Sequence, residues 1–401
     1  MKEARIGLAA IPRGVWALGL VSLCMDLSSE LIHALLPLYL AVGLGASALT
    51  IGIIEGIAEA TALIVKVFSG VLSDAFGRRK PLVLFGYGLA ALTKIVFPLA
   101  PTLGWVVAAR FADRVGKGIR GAPRDALIAD LTPPEIRGAS FGLRQALDTV
   151  GGFGGPLLAL AAMAYFAGDF RAAFWVAVIP AFLAVIVLVV GVKEPARTDA
   201  ATGPPRQRLR LSAVRKLGRR YAVIVGIAAI LSLARFSEAF LILRAQNVGI
   251  PVALVPWVMV VMSVVYALSA YPAGAAADRG QGPRLLSAGL VALIVADLLL
   301  ARAAGPALLY TGAALWGLHM GLTQGLLAAL VAAAAPPDLR GTAFGIFNLV
   351  GGVTLLVASA LAGWLWDIYG PATTFHTGAI FAALAWAGLL LYGMGAARLR
   401  G

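Results

Sequence analysis

Phe174–Val192 reads FWVAVIPAFLAVIVLVVGV, a run of nineteen residues without one charged side chain. A helix rises about 1.5 Å per residue, so a run of this length matches the roughly 30 Å hydrocarbon core of a bilayer. Leu285–Ala301 is a second such run, and Asp297 is its only charged residue. Both runs predict membrane-spanning helices.

The composition of the whole chain agrees with a membrane protein. Of its 401 residues, 60% are hydrophobic and only 13% are charged, and the mean hydropathy is +0.90. A soluble domain carries about 25% charged residues, because its surface must be solvated. Dividing the apolar runs at spans of about 20 residues predicts an all-α membrane protein with about twelve transmembrane helices.

Basic residues outnumber acidic ones, with 33 Lys and Arg against 19 Asp and Glu and a formal net charge of +14. Most of them fall in segments on one side of the membrane, whereas Arg171 and Arg302 fall in loops on the other. Because Lys and Arg are enriched in cytoplasmic loops, both termini are predicted to be cytoplasmic. The excess therefore indicates topology and contact with the lipid bilayer, and no basic-aromatic module indicates nucleic-acid binding.

Two short patterns occur twice at nearly the same separation. GVLSD at Gly70–Asp74 is repeated as GAAAD at Gly274–Asp278, 204 residues later. PPEIRGASFG at Pro133–Gly142 is repeated as PPDLRGTAFG at Pro336–Gly345, 203 residues later. Two independent repeats at nearly the same offset indicate duplication of a six-helix unit.

The residues between the two halves are basic and contain proline and glycine, which predicts an exposed cytoplasmic linker. The predicted domains are therefore an N-terminal six-helix bundle at 1–192, a basic linker at 193–220 and a C-terminal six-helix bundle at 221–401.

The segment GVLSDAFGRRK, from Gly70 to Lys80, resembles the cytoplasmic loop signature of the major facilitator superfamily, G-x-L-x-D-x-x-G-R-R-K. The duplicated halves and the long basic loop extend this likeness over essentially the whole chain. The resemblance implies a transporter whose two bundles face a central cavity and alternate its access, enclosed within one monomeric chain. The second copy of the signature has Gln281 in place of Gly77 and lacks most of the basic run.

We predict a gating role for this loop. Asp74 stands at a helix end, where it can pair with an arginine or accept backbone hydrogen bonds from a neighbouring helix. Such contacts would hold the cytoplasmic side closed in one state, and the alternative is a basic membrane anchor alone. The residues assigned to the gating loop are Gly70, Asp74, Gly77, Arg78 and Arg79.

An ionisable side chain at bilayer depth costs several kcal/mol, so each one is a candidate for function. Predicted helix 1 carries Asp26, Glu30 and His33 on one face, at i, i+4 and i+7. Glu55 and Glu59 on predicted helix 2 also share a face. A structural ion pair between helices is the alternative for any of them. The remaining candidates for proton coupling or substrate binding are Arg114, Lys117, Arg144, Asp148, Arg235 and Glu238.

Predicted helix 4 has the densest charge, with seven ionisable groups between Arg110 and Asp125. These groups cannot all face lipid, so they line a wet cavity, a helix interface or the cytoplasmic rim. RVGKGIRG at Arg114–Gly121 resembles the helix 4 signature of the family, in which the arginine is associated with proton coupling. Lys117 stands where that signature commonly has a neutral polar residue.

Gly142, Gly151, Gly155 and Pro156 on predicted helix 5 resemble the superfamily motif G-x8-G-x3-G-P-x2-G, with Ala159 at the last position. The resemblance implies an exporter, because the motif is typical of proton-driven antiporters. In physical terms the glycines permit close helix packing, and Pro156 removes a backbone hydrogen bond. The alternative is a generic packing motif.

The sequence thus favours a secondary transporter that exports a small organic solute in exchange for protons, with Asp26, Glu30 or Glu59 exchanging the protons. Proton-coupled import and a non-transporting receptor of the same fold are alternatives. A further alternative is a carrier of transition metals or metal chelates. It is indicated by Cys24, Met25 and His33 near these acids and by His319-Met320.

An enzyme is disfavoured, because the chain has no H-E-x-x-H, G-x-S-x-G or P-loop pattern. The missing P-loop also points to an ion gradient, rather than a nucleotide, as the energy source. No cofactor and no resident metal are expected, and the single Cys24 excludes an intrachain disulfide. The predicted location is the bacterial inner membrane.

Overall fold

The computed structural model describes residues 11–76, 78–194, 217–336 and 339–398. These residues form thirteen α-helices joined by short turns. The helices are α1 (Arg13–Leu38), α2 (Ala48–Phe76), α3 (Lys80–Leu99), α4 (Leu103–Leu131), α5 (Arg137–Tyr165), α6 (Phe170–Gly191), α7 (Gly218–Ala234), α8 (Ala239–Asn247), α9 (Trp257–Ala276), α10 (Gly282–Ala301), α11 (Pro306–Ala334), α12 (Arg340–Tyr369) and α13 (Pro371–Arg398). A π-helical turn at Tyr39–Gly43 extends α1, and another at Ala277–Gln281 joins α9 to α10.

The described helices account for the twelve predicted membrane spans. Eleven helical segments are long and apolar enough to cross a membrane, and α7 and α8 together form one of them. We assign the twelfth span to α4, which is as long as α2, at 29 residues, but far less apolar because of its charged side chains. The prediction of an all-α membrane protein with twelve transmembrane helices is confirmed.

Helix boundaries follow proline and capping side chains. Pro306 and Pro371 are the first residues of α11 and α13. An N–H group at this position has no acceptor within the helix, so proline costs no hydrogen bond there. At the start of α6, Asp169 Oδ1 accepts hydrogen bonds from the backbone N of Arg171 at 2.9 Å and of Ala172 at 3.2 Å. These caps satisfy N–H groups that the helix itself leaves open.

Close contacts divide the chain into two compact units. The first unit comprises Met1–Leu36 and Thr61–Arg206, and the second comprises Pro37–Ala60 and Gln207–Gly401. The first half of α2 therefore groups with the second unit. Most of the predicted linker lies outside the described residues, and the predicted domain boundaries stay a prediction.

Within the first unit, α4 approaches its neighbours at glycines. A Cβ atom built on Gly116 would lie 2.7 Å from the carbonyl oxygen of Gly86 on α3. A Cβ built on Gly118 would lie 2.6 Å from Cβ of Val65 on α2. Small residues allow membrane helices to pack with their backbones close together. The charge-rich α4 is thereby held tightly against α2 and α3.

The start of α3 and the end of α6 cap each other. Lys80 Nζ donates to the carbonyl oxygens of Val192 at 2.6 Å and Val189 at 3.1 Å. Glu194 Oε1 accepts from the backbone N of Arg79 and, at 3.2 Å, from that of Lys80. Each charge has the sign that stabilises the helix end it touches.

In the second unit, the start of α2 is tied to the end of α12. Asp367 Oδ1 accepts a hydrogen bond from the backbone N of Ala48 at 3.0 Å, and its Oδ2 accepts one from Leu49 at 2.9 Å. Further along α2, a Cβ built on Gly56 would lie 3.0 Å from Cα of Leu356. The two helices therefore run in close contact over this stretch.

The seventh span is interrupted between α7 and α8. α7 ends at Ala234, Arg235 leaves the helical conformation at φ −100° and ψ 62°, and α8 begins at Ala239. Ser237 Oγ accepts from the backbone N of Ala239 at 3.2 Å, and Ser237 N donates to Ser359 Oγ at 3.1 Å. These bonds satisfy backbone groups that the break frees from the helix.

Arg244 on α8 binds the C-terminal end of α10. Its Nε donates to Leu300 O at 2.9 Å, and its Nη2 donates to Ala301 O at 3.2 Å and Ala303 O at 2.9 Å. The last carbonyl groups of a helix lack partners and carry the negative end of its dipole. The buried guanidinium therefore binds the last two carbonyls of α10 and one carbonyl of the turn that follows it.

Candidate functional site

The acidic face of α1 packs on the glycines of α5. A Cβ atom built on Gly151 would lie 2.7 Å from Asp26 Cβ, and one built on Gly155 would collide with Glu30 Cβ. Both pairs are four residues apart, so one ridge of α1 fits one groove of α5. Asp26 and Glu30 are each half-buried at this interface.

The residues of the helix 5 motif differ in burial. Gly151, Gly155 and Pro156 are buried, whereas Gly142 is exposed and has nothing within 4 Å of a built Cβ. Ala159, at the position where the motif has its last glycine, is fully buried. The groove therefore depends on the middle of the motif rather than its start.

Arg144 and Asp148, two of the predicted coupling residues, stand one helical turn apart on α5 and form an ion pair. Arg144 Nη1 also lies 3.3 Å from Asp125 Oδ1 on α4, and Arg124 Nη2 lies 3.1 Å from the same oxygen. Asp148 is in turn one of the charged neighbours of Asp26. The pair thus links the charges of α4 to the acidic face of α1.

Arg120 is a further charged neighbour of Asp26, and so is the exposed Lys117. The guanidinium of Arg120 stacks on the Tyr87 ring of α3, 4.6 Å from its centre. A cation over an aromatic face is attracted by the ring electrons, which holds the buried Arg120 in place. Asp26 therefore lies within electrostatic range of two cations of α4 and of the carboxyls of Asp148 and Glu30.

A buried ion pair lies between α3 and α4. Lys94 Nζ is 2.8 Å from Asp113 Oδ1 and donates to Ser29 Oγ of α1 at 3.2 Å. Arg114 Nε lies 3.7 Å from the other oxygen of Asp113. The candidate Arg114 is thus almost fully buried and directed toward an internal carboxylate.

His33, the third residue of the predicted α1 face, contacts α4. Its Nδ1 lies 3.0 Å from Nη2 of the buried Arg110, and His33 itself is 7% exposed. Arginine can only donate, so Nδ1 accepts and the ring carries its proton on the other nitrogen. The third member of the predicted α1 face therefore anchors α4.

The other predicted site residues lie in the second unit. Glu55 is fully buried in α2, and Glu59 one turn later is half-buried. Arg235 and Glu238 are half-buried and flank the interruption between α7 and α8. The break places both side chains on irregular backbone at membrane depth, which occurs where protein or a cavity surrounds it.

Part of the predicted gating loop lies within the described residues. Gly70 and the backbone of Asp74 belong to α2, and Arg78 is exposed. Arg79 Nε lies 2.9 Å from Asp130 Oδ2 near the end of α4. Gly77 and the side chain of Asp74 lie outside what the structure describes.

Lys94, Arg110 and Asp113 are not among the site residues assigned from the sequence, and Tyr87 was not considered, although all four contact the charged network. Lys94 carried a usable signal, because a lone cation in an apolar span requires a buried partner. Tyr87 carried none, since an aromatic residue in a membrane helix is most often simple packing.

Comparison with known proteins identifies the family. The sequence model of the Major Facilitator Superfamily matches residues 18–243 and 224–398. An uncharacterized MFS-type transporter of Methanocaldococcus jannaschii is 32% identical over 95% of this chain and 94% of its own length. The inner membrane transport protein YajR of Escherichia coli is 25% identical over 93% of this chain and 81% of its own length.

The crystal structure of the peptide transporter POT in complex with sulfate has the same fold, with a TM-score of 0.78 at 16% identity. That match covers 98% of this chain and 96% of that one. The two family-model matches, one in each half, confirm the predicted pair of helical bundles. The family is one of transporters, not an enzyme class. The chain therefore belongs to the Major Facilitator Superfamily and is a membrane transporter of small molecules.

Proposed function

We propose that this transporter exports a small organic solute in exchange for protons, and that Asp26 and Glu30 carry the protons. The contact between the acidic face of α1 and the glycines Gly151 and Gly155 of α5 carries the proposal. The helix 5 motif, which is typical of antiporters, and the carboxyls of Asp26 and Glu30 thus lie at the same interface between two helices.

This interface suits proton exchange for a physical reason. A carboxyl that is half-buried between helices changes its exposure to water when one helix moves against the other. Because water stabilises the charged form, such a movement changes the affinity of the carboxyl for a proton. The glycines keep the α1 backbone close to α5, so a small displacement alters the surroundings of Asp26 and Glu30.

The charged residues around this interface have separate proposed roles. Arg144, paired with Asp148, tunes the acidic face of α1, while Arg114 and Lys117 modulate these carboxyls or bind an anionic part of the solute. Glu55, Glu59 and His33 remain candidates for proton transfer, and Arg235 and Glu238 for solute binding. A gating role for the loop at Gly70–Lys80 is supported by the contact of Arg79 with Asp130.

No observation favours the alternatives over export. Among the described residues there is no group of three or more His, Cys, Asp or Glu side chains that could hold a metal ion. Import by proton symport uses the same carboxyls and differs only in the direction of coupled flow. The measurement of that direction therefore decides between the two.

The test uses the full chain in liposomes loaded with a pH-sensitive dye. An outward gradient of each solute in a panel of organic compounds and metal ions is imposed, and proton movement is recorded. We expect opposite movement of solute and proton. Asp26→Asn and Glu30→Gln should abolish proton movement, while exchange of labelled solute against unlabelled solute continues.

Glu135→Gln is the matched control, because Glu135 is an exposed carboxylate in the turn before α5. It should behave as wild type. Movement of solute and proton in the same direction would establish import. Metal flux without proton movement would favour the metal carrier, and an unchanged response in both carboxyl variants would remove Asp26 and Glu30 from the mechanism.

We further propose that the protein is a monomer in the bacterial inner membrane, with both termini in the cytoplasm. Cys24 is the single cysteine and is buried, so a Cys24→Ser background allows site-directed labelling. In intact cells an impermeant maleimide should label Arg302→Cys and spare Glu135→Cys. The reverse pattern would invert the orientation.

A further inference from the structure

One acidic side chain lies deep in the second unit without a partner. Asp297 on α10 is 0% exposed, and neither of its carboxylate oxygens has a hydrogen-bond partner among the described residues. One turn away on α10, Leu293, Leu300 and Ala301 are buried and apolar. Buried polar groups are almost always hydrogen-bonded, so this carboxyl requires an explanation.

Two other elements enclose the carboxyl. A Cβ atom built on Gly378 of α13 would lie 2.6 Å from Asp297 Oδ2 and 2.9 Å from the ring of Phe236. Phe236 belongs to the interruption between α7 and α8, and its ring centre lies 5.6 Å from that of Phe375 and 5.4 Å from that of Trp316. A glycine backbone and an aromatic cluster therefore cover Asp297.

Among the described residues, no charged group on these elements forms a hydrogen bond with the Asp297 carboxyl. The titratable or charged side chains described on them are His376 on α13, Tyr310 and His319 on α11, Arg235 and Glu238 in the interruption, and Arg284 at the start of α10. From α8, Arg244 reaches the end of α10, where its guanidinium binds the carbonyl oxygens of Leu300 and Ala301. His319 Nδ1 is engaged with the carbonyl oxygen of Gly289 at 2.8 Å, and His376 is exposed. An ionised Asp297 would have neither a counter-charge in contact nor a donor.

We propose that Asp297 is a proton-binding site of the second unit, neutral in this state, which exchanges its proton with water when Phe236 moves with the helix interruption. An ionised carboxylate without partners is strongly disfavoured at this depth, whereas the acid form is tolerated. Interrupted membrane helices are the places where transporters bind ions and change shape. This site is separate from the α1 carboxyls and does not rest on the exchange proposed for them.

The test is infrared spectroscopy of the full chain in liposomes without any solute. A protonated carboxyl has a carbonyl band distinct from that of a carboxylate. The band should be present in wild type and in Asp26→Asn, and lost in Asp297→Asn. In D2O the band should shift slowly for wild type and at least tenfold faster for Phe236→Ala, because removal of the ring admits water.

Phe97→Ala is the matched control, since Phe97 is an equally buried phenylalanine of the first unit. It should leave the exchange rate of the Asp297 band unchanged. If Asp297→Asn does not fold, Asp297→Leu is of similar size, lacks the carboxyl and provides the same subtraction.

Two results would overturn the proposal. Identical carbonyl bands in wild type and both Asp297 variants would mean that the carboxyl is ionised. A band that never exchanges, even in Phe236→Ala, would mean a fixed neutral side chain without a role in proton binding. Because no solute is present, these results do not depend on whether Asp26 and Glu30 couple transport to protons.

Discussion

Lys94 Nζ lies 2.8 Å from Asp113 Oδ1 between α3 and α4, and the two side chains are only 1% and 3% exposed. Removing one partner leaves the other charge buried and uncompensated, which costs about 3–5 kcal/mol. We expect Lys94→Met and Asp113→Leu each to lower the unfolding free energy by about that amount. The double variant should lose far less than the sum, as measured by denaturant unfolding in detergent.

The contact of Arg79 with Asp130 provides the control for this cycle, because its side chains are 17% and 42% exposed. Solvent screens such a pair, so Asp130→Asn should change the unfolding free energy by less than about 1 kcal/mol. Additive losses at Lys94 and Asp113 would contradict a direct coupling between them.

The close contact of α3 with α4 predicts that alanine substitutions at Gly116 and at Gly88 differ in their effect on stability. Gly116→Ala places a methyl group against the carbonyl oxygen of Gly86, whereas a Cβ on Gly88 has nothing within 4 Å. Overpacking costs about 1–3 kcal/mol. Thermal unfolding in detergent should therefore show a clear loss for Gly116→Ala and none for Gly88→Ala. Equal behaviour of the two variants would mean that the helices separate without cost.

The groove on α5 predicts a second difference. Gly151→Ala brings a methyl group 2.7 Å from Asp26 Cβ, while nothing lies within 4 Å of a Cβ on the neighbouring Gly152. We expect a loss of about 1–3 kcal/mol for Gly151→Ala and no loss for Gly152→Ala. In the liposome assay, Gly151→Ala should also slow proton movement more than tenfold. Normal proton movement in a folded Gly151→Ala protein would argue against α1 sliding on α5.

The cap formed by Asp367 predicts a smaller effect. Asp367→Ala leaves the backbone N–H groups of Ala48 and Leu49 without their acceptor. Loss of such a cap costs about 0.5–2 kcal/mol, and Asp169→Ala at the start of α6 should cost a similar amount. Glu135→Ala, an exposed acid, should stay within about 0.5 kcal/mol of wild type. These values can be compared by denaturant unfolding, and a neutral Asp367→Ala would show that water replaces the cap.

The membrane fold was predictable because it depends on local quantities. The length and hydropathy of runs such as Phe174–Val192 are properties of the chain alone, and so is the repetition at an offset of about 203 residues. The pairing of Arg144 with Asp148 was equally local, since the two residues are one helical turn apart.

The partners of other charges were not predictable in this way. His33 shares a helix face with Asp26 and Glu30 but contacts Arg110, because the rotation of α4 about its axis decides which cation meets it. That rotation is set by close contacts such as Gly116 with Gly86, which a single sequence does not reveal. The interruption at Arg235 was not predictable for a similar reason. It contains no proline or glycine that would mark a helix break, and one of its hydrogen bonds comes from Ser359 on a distant helix.

Arg244 has a consequence for how the protein is made. The carbonyl groups that bind its guanidinium lie 56 to 59 residues further along the chain. While the ribosome is still synthesising α9, this arginine has to enter the translocation machinery without them. We therefore expect the seventh span to insert poorly by itself and well once α10 follows, and Arg244→Leu to remove that dependence. Insertion of truncated chains into microsomes would measure it, and efficient insertion of the isolated span would show that lipid headgroups can stand in for α10.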